Sequence, residues 1–191
     1  AIAGKTTDIP ILATAVTDYV EARLVESNEK PGTNVSGTTD MASIEDQIAL
    51  IAELVPEAKT VGVLYNAGEV NSVVQAEEAK RHIEALGYTY VEKTVTSSNE
   101  VQQAAEAIVR LADCLYIPTD NVLASSMPIV YGVTVESRTP VICGEGGMVQ
   151  AGGLATLGIN YYNLGYQTGL MAIRLFEEGA VISEMPVERQ T

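Results

Sequence analysis

Residues Thr60 to Gln75, TVGVLYNAGEVNSVVQ, constrain the fold more than any other stretch. Val61, Val63, Leu64 and Tyr65 form a continuous apolar run, as expected of a strand covered on both faces in a parallel sheet. Asn66, Ala67 and Gly68 break the run. Ser72 with Gln75 predicts a capping box, in which each side chain satisfies a backbone donor left over at a helix start. Apolar periodicity then continues through Ala76, Ala79, Ile83 and Leu86. The stretch is therefore strand, short loop and helix, with the helix N-terminus aimed at the carboxyl edge of the strand. Open α/β sheets bind ligands at that edge, where free amides and the helix dipole favour an anionic group. A well-capped connection with no ligand fits the same pattern.

The alternation recurs on both sides. Ile44, Ile48, Ile51 and Leu54 stand at helical spacing behind a near capping box of Ser43 and Asp46, ahead of a stop at Pro56. After Gly87, Tyr88 to Val95 alternates like a strand, and Ser97 with Glu100 predicts a cap for a helix over Val101 to Leu111. Cys114 to Ile117 reads as a strand closed by Pro118. Val122 to Glu136 reads as a helix that Pro128 and Gly132 are expected to kink or split. Pro140 to Cys143 is a further short strand, followed by a helical turn around Met148 and a last strand over Leu154 to Ile159. Such alternation predicts an α/β fold with a doubly wound parallel sheet, complete as one lobe.

The flanks do not fit into that lobe. Ile9 to Val16 reads as a buried strand with no preceding partner, which implies a domain whose earlier part lies outside this sequence. Ser27 to Thr39 is rich in Pro, Gly, Ser, Asn and Thr and reads as a linker or crossover, through which Val35 and Ser36 pass as a short strand. Tyr161 to Glu178 is a helix with Leu164, Thr168, Met171 and Leu175 on one stripe and a stop at Gly179. The expected organisation is residues 1–39 as the end of a first lobe and a crossover, 40–159 as a complete second lobe, and 160–191 as a return helix and tail belonging to the first. Two α/β lobes joined by several crossovers bind a small molecule between them and close over it by hinge motion.

Charge and residue usage narrow the function. A net charge of −14, from 25 acidic and 11 basic residues, argues against nucleic acid or an anionic membrane surface as partner. No run approaches the roughly 20 apolar residues that span a bilayer. The opening AIAGKTTDIP lacks the charged segment and apolar core of a signal peptide, so any targeting peptide is expected outside this sequence. Cys114 and Cys143 fall in neighbouring strands with an expected offset of about three residues, roughly 10 Å, too far for a disulfide. They also lack zinc or redox spacing. His82 is the sole histidine, expected as a partly buried surface residue. No metal cluster, Ser-His-Asp set or phosphate-binding glycine loop is available, so no catalytic residue, metal or cofactor is expected.

Three loops leave the carboxyl edge of the predicted sheet: Asn66 to Ser72, Thr119 to Asn121, and Gly144 to Gly147. The first offers amides and a hydroxyl suited to a carboxylate; in the second, Asp120 suits an ammonium group, with Thr119 and Asn121 as neutral hydrogen-bonding neighbours. Charge-assisted hydrogen bonds contribute about 1.5 to 3 kcal/mol each, so a few in a dry cleft support micromolar affinity or better. This complementarity fits an amino acid better than a sugar. Asp120 is equally suited to capping a helix, and the two roles are compatible. Glu145 either faces the cleft or solvates a turn.

Five segments together resemble a known family: TAVTD (Thr14 to Asp18), EKPGTNVSG (Glu29 to Gly37), GVLYNAGEVNS (Gly62 to Ser72), YIPTDN (Tyr116 to Asn121) and GEGGMVQAGGLATLGINYYNLGYQTG (Gly144 to Gly169). In combination and order they are similar to the substrate-binding proteins of ABC transporters of the tryptophan/tyrosine-binding type, over nearly the whole chain. The resemblance implies a periplasmic-binding-protein-like fold of type I, with one complete lobe plus fragments of a second. It implies a monomeric extracytoplasmic protein, frequently a lipoprotein, that delivers an amino acid such as tryptophan, tyrosine or phenylalanine to a membrane permease. Carried over residue by residue, Asn71 and Ser72 hold the ligand carboxylate and Asp120 the ammonium, with Thr17, Asp40 and Glu145 as further contacts. Pro128 and the following YGVTVES depart from the smooth helix expected there. A two-lobed α/β enzyme using Asp120 or Glu145 as base, and the effector-binding part of a transcription regulator, share the architecture.

Overall fold

Covering both faces of the Thr60 strand requires helices on either side of a sheet, and the chain supplies them. The computed structural model describes residues 2–189. In chain order its strands and α-helices are β1 (Ile11–Ala13), β2 (Val35–Thr39), α1 (Ile44–Leu54), β3 (Thr60–Asn66), α2 (Val70–Ala85), β4 (Thr89–Val95), α3 (Val101–Ile108), β5 (Cys114–Ile117), α4 (Asn121–Ser137), β6 (Val141–Cys143), α5 (Gly146–Gln150), α6 (Tyr161–Phe176) and β7 (Glu188–Arg189). The described residues divide into two compact units, one formed by the chain up to Met41 and from Ile159 onward, the other by Ala42–Gly158.

The Ala42–Gly158 unit is a four-stranded parallel sheet in the order β4-β3-β5-β6. The chain runs from β3 outward to β4, then returns past β3 to β5 and on to β6. Right-handed crossovers therefore place α2 and α3 on opposite faces. Helix α1 packs on α2, and α3 on α4, so both faces are covered. Val61, Val63 and Leu64 are fully buried, as the apolar run predicts. Leu64, Leu115, Ile117, Ile108, Leu123 and Met127 share one core cluster. The reversal of direction makes β3 and β5 the topological switch point, where the loops leaving adjacent strands diverge and open a crevice.

Several local expectations need correcting. The capping box of Ser72 and Gln75 does not form: α2 begins at Val70 with Glu69 as its N-cap residue, so both side chains are carried into the first turns and buried. Ser97 makes no side-chain cap; Glu100 instead reaches back to the Thr96 amide at 2.7 Å. The helix after β5 is not split, because α4 runs unbroken through Pro128 and Gly132 from its Asp120 cap. Leu154 to Ile159 is no strand. Only Ala155 bridges Ile142, with the Leu154 amide donating to Val141 O and the Cys143 amide to Ala155 O, because Gly152, at φ +127°, and Gly153 turn the chain immediately before. Ser43 caps α1 as predicted, its hydroxyl accepting from the Asp46 amide at 3.2 Å. Ile117 pairs with Cys143, which sets Cys114 and Cys143 three residues out of register, and both thiols are free and buried.

The other unit holds a parallel sheet in the order β1-β2-β7. Its central strand is the segment that composition marks as linker. All five residues of β2, VSGTT, are buried, which its three hydroxyls tolerate because each is hydrogen-bonded within the unit. Ser36 Oγ donates to Met185 O at 2.7 Å, Thr38 Oγ1 pairs with Thr168 Oγ1 at 2.8 Å, and Thr39 Oγ1 donates to Thr17 O at 2.8 Å. Gly37, at φ +148°, lets the Ala13 carbonyl and Tyr19 hydroxyl approach where a side chain would stand. Leu164 and Met171 of α6 are buried on the predicted stripe.

Candidate functional site

The carboxyl ends of β3 and β5 lie side by side at the switch point, and polar side chains tie the two exits together. Asp120 is the hub. Its Oδ2 accepts the Asn66 amide at 2.6 Å and its Oδ1 accepts the Leu123 amide at 2.8 Å, which caps α4. It is 1% exposed. Burial pushes its carboxyl above the usual range, while the Leu123 and Asn66 amides and the Ser72 hydroxyl oppose that shift and the Glu69 charge adds to it. The capping role foreseen for Asp120 is therefore realised.

Helix α2 grips the β5 exit through its first two turns. Asn71 Nδ2 donates to Thr119 O at 2.9 Å, and Gln75 Nε2 donates to the same oxygen at 3.3 Å. The Thr119 amide answers by donating to Gln75 Oε1 at 3.1 Å. Ser72 is fully buried next to Asn71. The third loop joins from β6: Thr119 Oγ1 donates to Gly144 O at 3.4 Å, and a Cβ at Gly144 would lie 2.3 Å from the Thr119 amide, so only glycine permits the approach. Glu145 caps α5, accepting the Gly147 and Met148 amides at 2.6 and 2.7 Å.

The structure thus brings Asn71, Ser72, Thr119, Asp120 and Asn121 together at one sheet edge in the Ala42–Gly158 unit, with Glu145 at the neighbouring exit. Thr17 and Asp40 belong to the other unit. There the Thr17 carbonyl accepts from Thr39, and Asp40 is buried with Oδ2 accepting from the Tyr161 hydroxyl at 3.1 Å and Oδ1 left without a hydrogen-bond partner. Burial and the Asp40 charge together raise the Tyr19 phenol far above its ordinary value.

Two residues that the sequence reading passed over organise this edge. Glu69 accepts Asn66 Nδ2 at 3.0 Å, Asn121 Nδ2 at 2.7 Å, and the Asn121 and Val122 amides at 3.1 and 3.3 Å. Burial alone would raise its carboxyl, but these hydrogen bonds outweigh it and hold the group below the usual carboxylate range. Gln47, 1% exposed on α1, donates to Gly144 O and Leu157 O at 3.1 and 3.0 Å and accepts from the Tyr116 hydroxyl at 2.8 Å. A polar residue inside the apolar stripe of α1, between Ile44 and Ile48, is the signal for Gln47. Nothing local marks Glu69 as a bridge, because its Asn121 and Val122 partners lie 52 and 53 residues away in the chain. Among the described residues, no group of three or more His, Cys, Asp or Glu side chains is placed to hold a metal ion.

A parallel α/β lobe with capped polar loops at its switch point is the architecture of periplasmic-binding-protein-like receptors. The chain belongs to the family described as ABC transporter substrate binding protein, which matches residues 1–191. It is 48% identical over 184 residues to a tyrosine-binding protein of Clostridioides difficile, covering 96% of this chain and 53% of that protein. Among solved structures, it is similar to an ABC domain from Streptococcus pneumonia in complex with L-Trp, with a TM-score of 0.92 and 36% identity over 98% of this chain and 63% of that one. It also resembles the ligand-free, open structure of a substrate-binding protein with adhesive properties from Clostridium difficile, with a TM-score of 0.78 and 50% identity over the same shares. The chain therefore spans about half the length of the curated relative and under two thirds of these structures.

Proposed function

We propose that the protein is the extracytoplasmic substrate-binding component of an ABC importer, which takes up an aromatic amino acid and passes it to a membrane permease. The observation that carries this reading is the shared carboxyl edge of β3 and β5, where a buried carboxylate, Asp120, lies beside the neutral groups of Asn71, Ser72, Thr119 and Asn121. An α-amino acid presents a matching pair: Asn71 and Ser72 with the α2 amides receive its carboxylate, and Asp120 its ammonium, with Glu145 at the rim. In this reading Thr17 and Asp40 are further ligand contacts, and we assign the unit that holds them, which runs up to Met41 and from Ile159 onward, to a first lobe and Ala42–Gly158 to a second. The tyrosine-binding relative and the relative crystallised with L-Trp support an aromatic ligand.

A binding role is favoured over catalysis. Asp120 and Glu145 each have both oxygens engaged by backbone amides, which suits fixed electrostatics rather than proton abstraction. The protein acts as a monomer, lipid-anchored or free outside the cytoplasm. Calorimetric titration of the full-length protein with tryptophan, tyrosine, phenylalanine, leucine and a nucleoside tests the proposal, alongside Asp120→Asn, which removes the charge at nearly constant shape. Micromolar or tighter binding of an aromatic amino acid, weakened about tenfold or more in the variant, is expected. Binding of the nucleoside alone, or turnover of any of these compounds, would overturn it.

A further inference from the structure

We propose that Glu69 is a positioning residue for the ligand: its carboxylate clamps the exit loop of β3 to the N-terminus of α4 and so sets the spacing of the polar groups in the crevice. The inference rests on the amino-acid reading above.

Glu69 is the N-cap residue of α2, so its backbone belongs to the β3 side. Its side chain crosses to the β5 side. One oxygen accepts Asn66 Nδ2 and the Val122 amide, the other the Asn121 amide and Asn121 Nδ2. Four donors on two oxygens demand an ionised carboxylate, since the amide of a glutamine would turn an NH2 group towards one pair of donors. Apolar packing does not hold these loops, for Ala67, Gly68 and Asn121 are exposed. The clamp is instead one of a few polar ties, beside those of Asn66 to Asp120 and of Asn71 and Gln75 to Thr119.

The clamp also determines which end of a zwitterion fits where. Asp120 takes the Leu123 amide and Glu69 the Asn121 and Val122 amides, so the first amides of α4 are filled by the protein's own carboxylates. With those amides occupied, a ligand carboxylate is left with the α2 side, where Asn71 and Ser72 stand, and the ammonium is drawn to the Asp120 and Glu69 carboxylates. Glu69 thereby favours amino acids over the corresponding carboxylic acids lacking the amine.

Hydrogen exchange on the ligand-free full-length protein, followed by calorimetry with tryptophan and with indole-3-propionate, tests both halves. In Glu69→Gln the Asn121 and Val122 amides are expected to lose protection, and tryptophan affinity to fall about tenfold. Indole-3-propionate, which has no ammonium, is expected to lose less, so the preference for tryptophan shrinks. Unchanged protection at both amides would overturn the clamp. A lower melting temperature with unchanged tryptophan affinity and preference would reduce Glu69 to a structural residue and overturn the positioning role. Should Glu69→Gln fail to fold, Glu69→Asp, which keeps the charge but shortens the reach, carries the same readouts. Wild-type protein that binds no amino acid, with protection still lost in the variants, would sink the ligand reading and its positioning role while leaving the clamp.

Discussion

Glycines in this protein are informative where backbone approaches backbone. A Cβ at Gly37 would stand 1.8 Å from Ala13 O, and φ is +148°. Neither the carbonyl nor the strand can move without breaking the β1–β2 pairing. Gly37→Ala is therefore expected to cost about 3 kcal/mol, read as a lower urea midpoint. Gly144→Ala forces a methyl group against the Thr119 amide, whose bond to Gln75 holds it in place. We expect a loss of about 2 kcal/mol in stability, together with weakened binding of the aromatic ligand in calorimetry. The thiols provide a different residue-scale test. Burial pushes Cys114 and Cys143 up to about 12, so both stay protonated and shielded at neutral pH. A thiol reagent should label neither in native protein and both after denaturation. Asp113 is exposed and accepts the Lys59 and Thr60 amides at 2.8 and 2.9 Å, which hold its carboxyl below the usual range. Its contribution is thus present above the unfolded carboxylate pKa of about 3.9 and is lost as pH falls through the lower folded value. The difference in urea midpoint between wild type and Asp113→Asn should shrink accordingly on acidification, and it should be small because the group is solvated.

Between elements, polar side chains fix what apolar packing leaves adjustable. Gln47 joins α1 to β5 through Tyr116 and to the β6 exit through the Gly144 carbonyl, all in a buried setting. Gln47→Leu preserves volume but strands the Tyr116 hydroxyl and the Leu157 carbonyl and leaves the Gly144 carbonyl only its 3.4 Å bond from Thr119, and it is expected to cost about 3 kcal/mol. Adding Tyr116→Phe removes one stranded group, so the double variant should be more stable than the sum of the two single losses predicts. Strict additivity in a denaturant-based double-mutant cycle would refute the coupling. Unbroken continuation of α4 through Pro128 belongs to this scale too. The helix has buried anchors on both sides of the proline, in Leu123, Met127 and Val130, so tertiary packing outweighs the lost hydrogen bond.

For the molecule as a whole, the Ala42–Gly158 unit is one continuous stretch with its own core, whereas the other unit is assembled from two distant segments. A fragment of residues 42–158 is expected to fold alone, with helical far-UV circular dichroism and a cooperative urea transition; a non-cooperative transition would contradict this. The same asymmetry governs what could be read from the sequence. The parallel sheet, its helices and the three polar exits were legible because each depends on local period and turn chemistry: the Val61 to Tyr65 run, the Ser43 cap and the Gly144 to Gly147 break act within a few residues of themselves. The family was legible for a related reason, since its motifs are contiguous. Tertiary structure alone decided that VSGTT is a central strand, because its hydroxyls are satisfied by Thr17, Thr168 and Met185, one of them more than 140 residues away. It alone turned Ser72 and Gln75 inward and gave Glu69 and Gln47 their partners across the sheet edge. Apolar periodicity is a property of neighbours in the chain, whereas a buried polar group is tolerated only if a distant one meets it, and no local pattern records that meeting.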